Sequence, residues 1–356
     1  MACEVPIRAA AAPSISLEQG LPPAIDEAAA AADPRHAFLR RSWFAAAAGD
    51  SPAATLVARR AGGQVIAALP IVRAGPRLLG IRAVPGCYWP FRSFPLARDI
   101  DDGELAALLA APAAREALGR AWRLGPVMDN DPTAARLLKL ARRCGWSVLA
   151  RRTATSWAFD IDAARAAEPW PKPSTARNMH KHEKKLARLG ALDFRFVTGE
   201  GWDAGALDAL AAIERNSWAG SRAGADPKFV DPALRRGWDE VIRDPALAAM
   251  LSAGILSIGG SPVAFSFGLD CGRTRYCIAT SYDQDFARHS PGYLTGYWTY
   301  AAAMERGVAL LSLGAGDGGE KSGMGALPEA ELMDYLFVRG AARAALLRPL
   351  WRRSGG

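Results

Sequence analysis

The sequence is poor in the residues that build metal centres, disulfide frameworks and covalent nucleophile sites. It has five cysteines, Cys3, Cys87, Cys144, Cys271 and Cys277. They are odd in number, widely spaced and contain no Cys-x-x-Cys pair, which argues against a disulfide framework and for reduced thiols in the cytoplasm. The four histidines, His36, His180, His182 and His289, form no His-Glu-x-x-His or Cys/His cluster, so no metal is expected. There is no Gly-x-Ser-x-Gly elbow and no obvious Cys–His pair, so nothing points to a covalent acyl-enzyme. No uncharged apolar run approaches the roughly 18 residues of a membrane span. The opening MACEVPIRAAAAPSISLEQG is interrupted by Glu4 and Pro6 and has no long apolar segment behind a basic start, so no signal peptide is expected.

What the sequence does have is bulk and positive charge. Its 356 residues suffice for two domains of ordinary size, and with 50% hydrophobic and 22% charged residues it can bury a substantial core. Much of the apolar share is alanine. The net charge of +8, from 44 Lys+Arg against 36 Asp+Glu, favours anionic partners without choosing among them.

Strand and helix signals alternate in the first half. Residues 55–59 and 64–72 read as strands joined by Ala61-Gly62-Gly63, a hairpin signal. A helix is expected from Asp33-Pro34 to Ala48, another over 101–118, a strand over 122–127, a helix over 132–143, and two strands over 146–150 and 156–161. Pro169, Pro171 and Pro173 then fall within five positions and cannot continue a helix or a central strand. The boundary between domains 1–170 and 171–356 is placed there. Beyond it a helix capped by Ser174 or Thr175 runs to Leu189, followed by a strand over 192–197 and helices over 203–218 and 232–243. A three-strand meander (248–258, 263–269, 274–280) leads to a helix over 291–306 and strands over 308–313 and 332–338. Along 263–269, Val263, Phe265, Phe267 and Leu269 alternate with Ala264, Ser266 and Gly268. One face is bulky; the other leaves room for a ligand or a packed helix.

The chemistry is expected where the third strand of the meander gives way to the helix. Ser290 stands at the N-cap position, Pro291 at the first helical position, and Gly292 has no side chain to block the free amides. Such a start offers oriented N–H donors and about half a positive charge, which suits a pyrophosphate. Arg288 and His289 add positive charge. The same residues also make an ordinary cap that needs no ligand.

The segment from Ile213 to Pro328 resembles the GNAT acetyltransferase domain found in bacterial cellulose and exopolysaccharide biosynthesis clusters. The matching pieces are Ile213-Glu214-Arg215-Asn216-Ser217-Trp218, Ser281-Tyr282-Asp283, Phe286-Ala287-Arg288-His289-Ser290-Pro291-Gly292, and Gly316-Asp317 followed by Lys321. The first half fits, more loosely, the preceding unit of Fem-type tandem proteins. The resemblance implies an α/β (α+β) fold of tandem GNAT-like domains, each with a mixed, mainly antiparallel sheet flanked by helices, the first degenerate. It implies direct acyl transfer from acetyl-CoA or another acyl-CoA to an amine or hydroxyl of a sugar-like acceptor, with Arg288, His289, Ser290, Pro291, Gly292 and Tyr293 on the donor.

Pro291 and Tyr293 depart from the family's small residues, Ala219 from a lysine, and Ser322-Gly323-Met324-Gly325 from bulky aromatics. Asp283 and Asp317 are the candidate catalytic residues, each also readable as plain turn chemistry. Trp218, Tyr282 and Lys321 are candidates for the acceptor. Arg177, Lys181, Lys184, Lys185 and Arg188 line one side of the helix that follows the boundary. They read as a solvated face or, in a Fem-like aminoacyltransferase, as a tRNA contact. A catalytically degenerate scaffold subunit is the third reading. The aromatics of 88–94 suit a packed turn or sugar stacking.

Overall fold

The computed structural model describes residues 12–75, 80–86, 92–221 and 227–353. Cys3, Cys87, most of the aromatic run at 88–94 and residues 222–226 of the Gly-rich loop after Trp218 lie outside them. The described chain forms one twelve-stranded mixed sheet covered by helices on both faces, as expected for the α/β class. The strands are β1 (Ser14–Gln19), β2 (Ala53–Arg59), β3 (Val65–Arg73), β4 (Arg82–Ala83), β5 (Ala121–Met128), β6 (Trp146–Asp160), β7 (Leu192–Thr198), β8 (Leu251–Ile258), β9 (Ser261–Cys271), β10 (Thr274–Tyr282), β11 (Leu310–Ala315) and β12 (Leu327–Arg339).

Their order across the sheet is β1-β2-β3-β4-β5-β12-β6-β11-β10-β9-β8-β7. Strands β1–β5 and β7–β11 form two series running inward from opposite edges. At the centre the chain crosses itself: β12, from the C-terminal half, lies between β5 and β6, while β6, from the N-terminal half, pairs with β11. Each half's sheet is therefore completed by a strand from the other. The sequence read β6 as two short strands, because Arg151, Arg152 and Thr153 interrupt its apolar pattern. Pairing with β12 from Trp146 to Ala158 keeps it continuous.

The crossing is clamped by charge. Asp334 on β12 is fully buried and accepts from Arg123 Nε on β5 at 2.8 Å and Arg151 Nη2 on β6 at 2.6 Å. Arg151 in turn lies over the Trp351 ring, 4.2 Å from its centroid. The largest apolar cluster also ignores the boundary. Trp43 meets Trp238 edge-on at 6.1 Å, and the helix Arg41–Ala48 packs on the helix Pro232–Val241.

Elsewhere the differences from expectation have local causes. The helix expected from Asp33 to Ala48 is a short 3-10 turn, Pro34–His36, and a separate helix from Arg41. The helix at 101–118 breaks at Ala111, ahead of Pro112. The helix after the boundary begins at Pro173, with Lys172 at the N-cap and no side-chain cap, so neither Ser174 nor Thr175 caps it. The small face of β9 and its neighbour β8 receives the helix Pro291–Glu305. A Cβ on Gly254 of β8 would lie 1.9 Å from Thr299 Oγ1 of that helix, so only glycine allows the approach.

Candidate active site

Strands β10 and β11 run parallel, yet they pair only through Thr274, Arg275 and Tyr276 against Leu310, Leu311 and Ser312. Past that point each strand carries an irregularity, at Cys277/Ala279 and Ser312/Gly314, and the two diverge. A gap in a sheet exposes backbone groups that can bind a ligand chain. The helix Pro291–Glu305 is the crossover between these strands, so its N-terminus follows directly from the open end.

The helix start has no side-chain cap. Ser290 is the only described non-glycine residue with positive φ (φ 56, ψ 48), and its side chain makes no cap hydrogen bond. The expected side-chain cap is thus absent: the left-handed backbone turns the hydroxyl away, and the first-turn amides keep their donors. The first turn holds no acidic residue. Gly292 has its own structural reason, since a Cβ there would lie 2.9 Å from Tyr282 Cδ1. Tyr282 belongs to the apolar cluster of Leu186, Leu256 and Leu294, and wedges the helix start in place. Behind it, His182 Nδ1 lies 3.1 Å from the His289 carbonyl, bringing the basic helix Pro173–Ala187 alongside. Tyr293 stands between His182 and Tyr297, its ring 5.6 Å and 4.9 Å from theirs.

On the same side of the sheet, a pocket of about 370 Å³ is lined by Phe159, Trp170, Tyr297 and residues 322–325. Trp170 stacks on Tyr297 at 5.8 Å. Burial pushes the Tyr297 hydroxyl up to about 12. Ser322, Gly323 and Gly325 stand where the resemblance suggests aromatics, and their small size leaves this volume open.

The predicted carboxylates are turn residues. Asp283 accepts from Asp285 N–H at 2.9 Å and from Asn216 Nδ2 at 3.0 Å, tying the end of β10 to the helix Ala204–Arg215. Asp317 accepts from the N–H groups of Gly319, Lys321 and Ser322, and the Ser322 side chain foremost, followed by these amides, holds its carboxyl below the usual range. Lys321 makes no contact with the Asp317 carboxylate through its ammonium. Instead Nζ donates to the carbonyls of Gly314, Ala315 and Gly316 at 2.9, 3.0 and 2.7 Å, finishing the free end of β11. Burial lowers its pKa. Trp218 is 49% exposed, so it is not a core tryptophan.

Sequence reasoning missed Glu329. Its Oε2 accepts from Ser312 Oγ at 2.7 Å and Ser156 Oγ at 2.9 Å. Ser312 is the last residue of β11 paired with β10, so this carboxylate stands at the mouth of the gap. It faces away from the helix Pro291–Glu305. Leu311 packs in the cluster of Tyr300, whereas Tyr276, opposite Ser312, packs with the Phe38 side of the molecule. Burial raises the Glu329 pKa against the pull of the two serines. No motif marks it; only the strand exchange brings β6, β11 and β12 together around it. Beyond it on that side, a small cleft of about 30 Å³ is lined by Arg35, His36, Asp131 and Tyr276. The buried Asp131 there is already bound by His36 Nε2 at 2.8 Å, Ser93 and two backbone amides.

A family model described as acetyltransferase (GNAT) domain matches residues 173–322. No curated protein sequence matches the chain. The fold is similar to FemX, at 11% identity and TM-score 0.60 over 87% of this chain and 94% of that one. It is also similar to the C-terminal domain of a protein named as a lysylphosphatidylglycerol synthetase from Agrobacterium fabrum, at 16% identity and TM-score 0.53 over 93% and 94%. A third likeness is to L-PGS from Bacillus licheniformis, at 13% identity and TM-score 0.50 over 91% and 97%. At such identities the likeness is one of fold. The matched domain and the fold together make the chain an acyltransferase.

Proposed function

We propose that the chain transfers an acyl group directly from an acyl-CoA to an amine or hydroxyl, with the donor held by its C-terminal half. The parting of β10 and β11 beside an uncapped helix start carries this reading. The pyrophosphate takes the free amides at Gly292 and Tyr293, with Arg288 and His289 nearby. The pantetheine arm enters the gap from the helix side. The acceptor comes from the opposite side, where Glu329 takes its proton as the acceptor atom bonds to the thioester carbon. The C–S bond breaks and the thiolate leaves to solvent. Positioning and one proton transfer suffice for such a step. Asp283, Asp317 and Lys321 then shape the two loops that border the site, and exposed Trp218 is free to stack on an acceptor.

A sugar or polysaccharide precursor is the acceptor class implied by the sequence resemblance. Thiol release from acetyl-CoA with a panel of amino sugars tests it. Calorimetry showing no CoA binding at millimolar donor would overturn the donor assignment itself.

One observation favours a second reading, transfer from aminoacyl-tRNA. Arg177, Lys181, Lys184, Lys185 and Arg188 are exposed, form no ion pair among the described residues, and lie on the helix packed against the donor helix. Binding of tRNA that weakens steeply with salt and with Arg177→Ala/Lys181→Ala would support it. Insensitivity to both would exclude it.

A further inference from the structure

The last described helix, Ala341–Arg353, faces two ways. Inward, Ala344, Leu347 and Trp351 pack on Leu149, Leu336 and Val338 of β6 and β12. Outward, Leu346 and Leu350 are 77% and 61% exposed. They stand one turn apart with exposed Ala342, Ala345 and Pro349, which makes a continuous apolar stripe rather than scattered surface residues. Exposed Arg348 and Arg352 flank the stripe, Arg343 lies half-buried beside it, and the helix contains no acidic residue.

Next to the helix start runs an open groove of about 950 Å³. Leu138, Trp146, Val148 and Met333 supply apolar wall, Arg142 and Arg348 supply charge, and no carboxylate lines it. Arg339 lies with its guanidinium 4.1 Å from the centroid of the Trp146 ring. The stripe and the groove, which share Arg348, thus combine exposed hydrocarbon with arginine on one continuous stretch of surface.

We infer that this face docks on an anionic phospholipid bilayer, with Leu346 and Leu350 in the acyl boundary and the arginines on lipid phosphates. Apolar side chains at the level of the headgroups with cations beside them are the pattern of an interfacial helix. The charge selects this occupant over a second copy of the chain, which would bring the same arginines face to face. The inference is independent of the acyl-transfer reading.

Flotation of the full chain with phosphatidylcholine vesicles, with and without phosphatidylglycerol, tests it. Binding is expected only to the anionic vesicles, weakening with salt. Leu346→Glu/Leu350→Glu should abolish it, and because both side chains are exposed, circular dichroism should be unchanged. Each of Arg348→Ala and Arg352→Ala should weaken binding about fivefold. Binding equal on neutral and anionic vesicles, no binding to either, or a leucine variant that floats as well as wild type would overturn the inference. So would light scattering that shows a dimer lost in the leucine variant.

Discussion

The two halves of the sheet contain the same arrangement once open and once closed. In each, a strand of the inward series runs parallel to the next with a helical crossover between: β10 and β11 in the C-terminal half, β4 and β5 in the N-terminal half. Beyond Tyr276 of β10, among the described residues, no strand pairs between β10 and β11. Beyond β4 the chain itself fills the gap. Pro95 O accepts from Ala68 of β3, Ile66 O from Ala97, and Arg92 O from Gly125 of β5. The helix starts differ in the same sense. Asp101 and Glu104 close a reciprocal capping box on the N-terminal crossover helix and place carboxylates where a pyrophosphate would sit. The C-terminal helix has a left-handed serine, no cap and no acid. On the proposed reading one half holds the donor and the other is finished structure, so tandem architecture does not imply two donor sites.

The largest expected effect breaks the comparison at its seam. Asp334→Ala leaves Arg123 and Arg151 without their buried counter-charge, which costs about 3–5 kcal/mol. Because the main core and the exchanged strands run through both halves, urea unfolding followed by tryptophan fluorescence should show one transition shifted as a whole. Two transitions, with the C-terminal one unmoved, would make the halves independent.

Next is Glu329→Gln, expected to lower kcat by roughly 10²- to 10⁴-fold while leaving donor affinity intact. A base must be ionised, so wild-type kcat should fall with acid through a midpoint above the ordinary glutamate value. The stability sign is opposite. A raised folded pKa means that the contribution is fully present below the unfolded pKa and is lost as pH rises through the folded one. The amide variant should therefore be at least as stable as wild type at pH 8, separating loss of chemistry from loss of fold. A variant with unchanged kcat would remove Glu329 from the mechanism.

Much of this was legible in the sequence. The meander and the Pro291 helix follow from local patterns: alternation, turn glycines and helix-start residues. The strand exchange did not, because pairing β12 with β5 and β6 joins residues some two hundred positions apart, and no local signal encodes the register. The site divided along the same line. The proposed donor side is one contiguous segment, 288–293, which local sequence can single out. The proposed proton acceptor is a carboxylate held by serines of β6 and β11, which no local pattern marks. Asp283, Asp317 and Lys321 stand where expected along the chain, yet their polar atoms are engaged in finishing strand ends and turns, a use that residue type and spacing do not distinguish from catalysis.

The smallest expected effect tests the open and closed helix starts directly. Tyr293→Glu puts a carboxylate into the first turn of the C-terminal helix, imitating its N-terminal counterpart. Acyl-CoA binding by calorimetry should weaken about two- to thirtyfold, more at low salt, because the new charge opposes the helix dipole that holds the pyrophosphate. Tyr293→Gln removes the same ring without adding charge, and only the difference between the two variants measures the electrostatic part. Asp101→Ala is the mirror experiment. It removes a cap worth about 1 kcal/mol of stability, but the gap beside it stays filled by residues 92–97, so binding stoichiometry should remain one donor per chain. A second equivalent of acyl-CoA bound by that variant would mean that the capping carboxylates alone, rather than the chain lying in the gap, keep the N-terminal half silent.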